Sequence, residues 1–161
     1  MSAGEPDPTD VIIDTNVLKV ANGDHDQASA ECVLRCAERL KRTISGGAVA
    51  VDNSWVILGQ YENNLPAGAP REGYMFLRQL LREWKSGRIV QVIVHPNEDR
   101  GYDEFPEDPR LARFDPSDRV FVAVALAHPH GPKILNAVDP DWDEHRVALE
   151  DNGLSIEQIC G

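Results

Sequence analysis

Short apolar strands alternate with amphipathic helices along this chain, and that order predicts an α/β sandwich on a mostly parallel sheet. Two stretches carry the expectation. Val11-Ile12-Ile13 reads as a short, fully buried strand, and Asp14-Thr15-Asn16 follows it before a turn of apolar residues. Lys133-Ile134-Leu135-Asn136-Ala137-Val138 has the same grammar and runs into Asp139-Pro140-Asp141. A buried strand that ends in a carboxylate delivers it to the carboxyl edge of the sheet, where open parallel folds bind ligands.

Residues 1–9 are Pro-rich and acidic and read as a disordered lead-in to a single domain over 10–161. A first strand is expected over 10–14, then a short helix from Thr15 to near Asn22-Gly23. Asp24-His25-Asp26 precedes a strong amphipathic helix. Its Ala30, Val33, Cys36, Ala37 and Leu40 keep the spacing of a buried face, and Glu31, Arg35, Glu38, Arg39, Lys41 and Arg42 fill the wet one. Gly46-Gly47 closes that unit, and 48–52 reads as a second strand ending in Asp52. Asn53-Ser54 offers an N-cap for a helix over 55–65, and Pro66, Gly68 and Pro70 break the chain. A helix over 71–86 sets Leu77, Leu80, Leu81 and Trp84 on one face, a strand follows over 89–94, and 95–113 is an acidic loop. Asp115-Pro116-Ser117-Asp118 is a strong helix start, with a cap, a proline and an acid in turn. The helix it opens, from Val120 to Ala127, is apolar nearly all round and should be central. A strand over 133–138, a helix over 143–150 and an edge strand over 154–160 complete the chain, without internal repeat or linker.

At 161 residues, 42% hydrophobic and 27% charged, the chain has the make-up of a globular domain. Its first residues have neither a basic region nor an apolar core, and no run approaches the roughly 20 apolar residues of a membrane span. A cytoplasmic protein with no membrane partner is expected. The net charge of −11 argues against broad nonspecific binding to a phosphate backbone and is compatible with cation binding in an acidic pocket or local contact with nucleic acid. Cys32 and Cys36 stand one helical turn apart and Cys160 far along the chain. Without four ligands at signature spacing, the three read as core thiols, with metal or redox roles the alternative.

Carboxylates gathered at strand ends suit a hard divalent cation bound through oxygen. Such a cation activates water and neutralises charge on a phosphodiester. Each acid also has an ordinary role open to it. Asp14 can cap the helix after it, Asp115 is a cap, Asp118 can complete a capping box with it, and Asp139 and Asp141 can shape their turn. His128 and His130, in a Pro-Gly loop, read as surface histidines rather than a metal pair. Other chemistries fit less well. A haloacid-dehalogenase-type phosphotransferase needs an acid where Asn16 stands, a receiver domain needs paired acids, and neither a phosphate loop nor a nucleophile elbow occurs.

The order strand–Asp14-Thr15-Asn16, Asp118 opening an apolar helix, then strand–Asp139-Pro140-Asp141 resembles the PIN-domain family from about Val11 to Cys160. That resemblance implies a three-layer α/β/α sandwich around five parallel strands, and a Mg²⁺- or Mn²⁺-dependent ribonuclease. It implies Asp14, Asp118 and Asp139 as catalytic acids and metal ligands, Asp141 as a further ligand, and Asn16 and Ser117 as polar neighbours of the metal. RNA is the implied partner; an antitoxin protein and a homodimer go with the family's toxins. The chain departs from the pattern where the family carries a further acid, usually Glu, because Gln60 stands there. Glu62 points to nearly the opposite face of its helix, so Asp52 is the expected substitute. Arg35, Arg39 and Arg42, or Arg78 and Arg82, could guide RNA, and they equally suit exposed ion pairs. Two rivals remain: a catalytically silent RNA- or protein-binding domain of the same fold, and a small-molecule metal-dependent phosphohydrolase.

Overall fold

The computed structural model describes residues 10–66 and 71–160; the lead-in read over 1–9 and the chain breakers Gly68 and Pro70 lie outside the described residues. In chain order the strands are β1 (Asp10–Ile13), β2 (Ala48–Asp52), β3 (Ile89–Val92), a short hairpin of β4 (Pro96–Asn97) and β5 (Gly101–Tyr102), β6 (Lys133–Asn136) and β7 (Ile156–Gln158). The helices are α1 (Thr15–Ala21), α2 (Ala30–Gly46), α3 (Val56–Asn64), α4 (Glu72–Arg82), α5 (Arg119–Ala127), α6 (Pro140–Glu144) and α7 (Arg146–Asp151).

Five strands form one parallel sheet in the order β3-β2-β1-β6-β7. Every residue of β2 is buried. Because successive side chains of a strand point to opposite faces, both faces must be covered. α1, α2 and α4 pack together, and α5 lies against β1, β2 and β6, the arrangement of a three-layer sandwich. Val17, Leu18 and Val20 of α1 and Phe121 to Val124 of α5 are fully buried, so the apolar stripe of each helix is what holds it to the sheet. The chain winds outward from β1 through β2 to β3, then returns through α5 to β6 on the other side of β1. That reversal makes a crevice at the carboxyl ends of β1 and β6.

Several local expectations are corrected. The cap of α3 is Asp52, whose carboxylate accepts from the amides of Ser54, Val56 and Ile57 at 3.1, 3.0 and 2.9 Å, whereas Asn53 accepts from Val94 N. Trp55 begins that helix in the left-handed region, at φ 64°. The helix read over 71–86 stops at Arg82 and gives way to a 3₁₀ turn, Trp84–Ser86. Trp84 is 40% exposed rather than in the core, and its ring meets Trp55 at 4.5 Å. The acidic loop is not featureless: beyond its hairpin, the Arg119 guanidinium donates to the carbonyls of Arg100, Ala112 and Phe114. The helix read over 143–150 is two, α6 and α7, divided at His145. His128 is buried with Nε2 2.6 Å from Asp10 Oδ2, not a surface residue. Among the described residues no helix is long and apolar enough to cross a membrane.

The cysteine reading is corrected too. Cys32 and Cys160 form a disulfide across 128 residues, and Cys36 alone is a buried thiol. The bond closes because β7 ends beside α2, where Arg39 Nε also donates to Glu157 at 2.7 Å.

Gly73 lets α4 approach α1 closely. A Cβ there would lie 2.1 Å from the Leu18 carbonyl oxygen on α1. Gly73→Ala therefore forces α4 off α1, and about 1–3 kcal/mol of stability should be lost in a urea titration. An unchanged midpoint would show that α4 is free to slide.

Candidate metal centre

Asp14 follows β1, and its amide donates to Leu135 O at 3.1 Å, so the ladder with β6 runs through it. One carboxylate oxygen accepts from Asn16 N at 2.9 Å, capping α1, and the other from Trp142 Nε1 at 2.6 Å. Asp139 follows β6 and caps α6 by accepting from Asp141 N at 3.0 Å, with Pro140 at the first helical position. Asp118 ends a 3₁₀ turn, Pro116–Asp118, which Asp115 caps through Ser117 N and Oγ, both at 2.9 Å. The capping-box reading of Asp118 does not hold, since Asp115 N donates to Asp141 instead. One oxygen from each of Asp14, Asp118 and Asp139 lies within 4.8 Å of the other two. Asp14 is 4% and Asp118 7% exposed.

Neutral amides frame these acids. Asn16 Oδ1 accepts from Ala137 N and Val138 N, each at 3.0 Å, and its Nδ2 donates to Asn136 Oδ1 at 2.9 Å. Asn136 Nδ2 donates in turn to Asp139 O and to Gln158 Oε1, at 2.9 and 2.8 Å. Gln60 spans the other side: its Oε1 accepts from Thr15 Oγ1 at 3.1 Å, and its Nε2 donates to Ser117 O at 2.9 Å. It therefore links the residues next to Asp14 and Asp118.

Other expected site residues lie elsewhere. Asp52 is the α3 cap and belongs to no shared group with the three acids, because its oxygens are held by amides of its own turn. Asp141 faces Asp115 N at 3.0 Å and His145 Nδ1 at 3.2 Å, so it orders the neighbouring loop rather than joining the cluster. With Glu144 and His145 it forms a separate group along α6. Ser117 spends its hydroxyl on Asp115. Arg35 and Arg39 are ion-paired with Glu31 and Glu157, the ordinary role open to them. Trp142, Asn136 and Gln158 were not picked out from sequence. A tryptophan three residues past Asp139 was the available signal, since a buried indole needs an acceptor for its N–H.

The chemistry of the cluster is that of uncompensated negative charge. Burial pushes Asp14 up to about 6; the Asn16 and Trp142 hydrogen bonds oppose that rise, and the charge of Asp139 adds to it. Asp118 is pushed up to about 9, first by burial, then by the charges of Asp14, Asp139 and Asp115 and a hydrogen bond with Asp139. Protons occupy the place that a cation would otherwise take. Oxygen donors only, three acids deep, fit Mg²⁺ or Mn²⁺ better than a softer metal. Against family models, curated proteins and solved structures the chain finds no match.

The raised values set a pH dependence. The folded state binds more protons than the unfolded one between 3.8 and about 6 at Asp14, and between 3.8 and about 9 at Asp118. This stabilisation is complete below the unfolded value and disappears as pH rises through the folded ones. With chelator present, the melting temperature of Asp118→Asn should match the parent near pH 4 and exceed it increasingly toward pH 9. Adding Mn²⁺ should close that gap by stabilising the parent alone. Parallel curves for the two proteins would mean that the fold does not raise Asp118.

Proposed function

We propose that the chain is a Mg²⁺- or Mn²⁺-dependent ribonuclease of the PIN type, acting on RNA phosphodiester bonds. The observation that carries the reading is the meeting of Asp14, Asp118 and Asp139, from three separate segments, within 4.8 Å at the switch point of a parallel sheet. Asp14, Asp118 and Asp139 would hold the cation. Bound there, it supplies positive charge to the oxygens of a phosphodiester and makes water a better nucleophile.

The chain's own residues do the rest. Trp142 and Asn16 N fix both oxygens of Asp14, so that carboxylate keeps one orientation whether or not it carries a proton. Asp139 is fixed by its cap bond to Asp141 N and by Asn136 behind it. Burial and the neighbouring carboxylates hold Asp118 above the usual carboxylate range, so a cation bound there would take the place of its proton. Gln60 closes the site between Thr15 and Ser117 without adding a fourth charge. RNA contact must be local, because the net charge is −11. An antitoxin protein or a second copy of the chain would accompany a toxin version of this activity.

A second reading, a silent RNA-binding domain, has one observation in its favour: both polar atoms of Gln60 are engaged in holding the fold. A single-turnover assay on single-stranded RNA across a Mn²⁺ series separates the two. Parent protein should cleave in proportion to bound cation, and Asp118→Asn should be slower by about 10²-fold or more. DNA and a phosphate monoester serve as comparison substrates, the latter testing a small-molecule phosphohydrolase. Gln60→Glu should bind Mn²⁺ more tightly, yet be less stable without it, because it also sets a carboxylate against Ser117 O. RNA bound but not cleaved above the Asp118→Asn level would leave the silent domain as the answer.

A further inference from the structure

The acids do not involve the cysteines, and the cysteines make a second constellation. Cys32 and Cys36 lie one turn apart on α2, both buried, and Cys160 reaches them from the residues after β7. One sulfur from each lies within 4.8 Å of the other two. The Cys36 and Cys160 sulfurs are 3.9 Å apart. Two thiolates on one tetrahedral zinc, each at about 2.3 Å, stand about 3.8 Å apart, so this pair already has the required spacing. Arg39 continues the same face of α2 and binds Glu157, so backbone and ion pair hold the third sulfur in place apart from the S–S bond. A cleft of about 50 Å³ lined by Ser29, Glu31, Cys32, Arg35 and Cys160 opens onto the group. It has room for one water-sized ligand beside the sulfurs.

We propose that, once the disulfide is reduced, Cys32, Cys36 and Cys160 form a three-thiolate site for a soft cation of the Zn²⁺ class, with water completing the coordination. The disulfide belongs to an oxidising environment, and a reducing one presents three thiols instead. The steps balance. A dithiol takes the two sulfurs to two thiols and becomes a disulfide, or a phosphine does so and becomes its oxide, water supplying the oxygen and the two thiol protons. Zn²⁺ then replaces three thiol protons, which leave to solvent. Bound metal would tie the tail to α2 as the disulfide does, with Cys36 recruited as the third anchor. This assignment stands whether or not the acids cleave RNA.

The test uses the full chain, reduced with a phosphine under anaerobic conditions and titrated with Co²⁺ as a spectroscopic substitute for Zn²⁺. A thiolate-to-cobalt charge-transfer band should saturate at one equivalent, which carboxylate-bound Co²⁺ at the acids cannot produce. Zn²⁺ should abolish it, and Mg²⁺ should leave it unchanged. Cys36→Ser should bind at least tenfold more weakly with a smaller band while still forming the Cys32–Cys160 disulfide on oxidation, which verifies its fold. Cys160→Ser, altered outside the core elements, should bind at least tenfold more weakly too. The oxidised parent should give no band. No band in the reduced parent, or an unchanged titration in Cys36→Ser or Cys160→Ser, overturns the proposal.

Discussion

Three carboxylates that repel one another are held close by a frame of uncharged hydrogen-bond donors, and the order of the sheet makes that frame necessary. Because β1 pairs with β2 on one side and β6 on the other, the residues leaving β1 and β6 emerge next to each other. Backbone pairing alone would leave Asp14 and Asp139 on adjacent strand ends with nothing to fix their side chains. Asn16 supplies the missing link: one amide oxygen gathers two backbone N–H groups beyond β6, and its nitrogen reaches Asn136. Removing that side chain would orphan two amides that sit beside buried charge, a costly arrangement in a low-dielectric site. The Trp142 indole adds a donor that needs no charge of its own, and its ring packs edge-on against Phe114 at 5.0 Å, joining the site to the core. Neutral donors orient a carboxylate without cancelling the charge that a cation would need.

The same logic gives Gln60 a physical meaning. A glutamate at that position would bring a fourth charge to a pocket where burial and repulsion already hold Asp118 well above the usual carboxylate range. The amide instead makes two bonds of opposite polarity, accepting from Thr15 and donating to Ser117 O, and a carboxylate can satisfy only the first. Gln60 therefore fastens the turn before α5 to the start of α1. A fourth negative charge is withheld, and the pocket closes on its own hydrogen bonds.

The parallel α/β plan and the three converging acids were legible because the signal was local and one-sided. A run such as Val11-Ile12-Ile13 has no face to offer water, so it must be central, and an acid directly after it must reach the sheet edge. Asp52 has the same grammar and a different fate. After Asp14 the helix begins at once and a single backbone amide, Asn16 N, bonds to the carboxylate beside the Trp142 indole, leaving it within reach of Asp118 and Asp139. After Asp52 the chain takes a turn through Trp55 in the left-handed region, and three amides fold back onto the carboxylate. A bulky residue at positive φ is disfavoured in isolation, so no local rule would have forecast that turn. The disulfide was illegible for a different reason: residues 128 apart in sequence meet only because β7 takes the edge position next to β6. Apolar spacing alone places Trp84 on the buried face, but its helix ends at Arg82, one turn sooner.

The tail and the acidic pocket are more closely tied than their separation in sequence indicates. β7 carries Glu157, held by Arg39 on α2, then Gln158, whose Oε1 accepts from Asn136 Nδ2, and Cys160 follows two residues later. Asn136 is the residue that also donates to the carbonyl of Asp139 and accepts from Asn16. Loosening β7 from α2 would therefore withdraw Gln158 from Asn136 and free one hydrogen of the amide that orients Asp139. An edge strand of three residues has little pairing energy of its own, since only β6 lies beside it. What secures it is the clasp on α2, covalent through Cys32 and ionic through Arg39. The order of the acid site thus rests in part on contacts made on a neighbouring helix, outside the crevice.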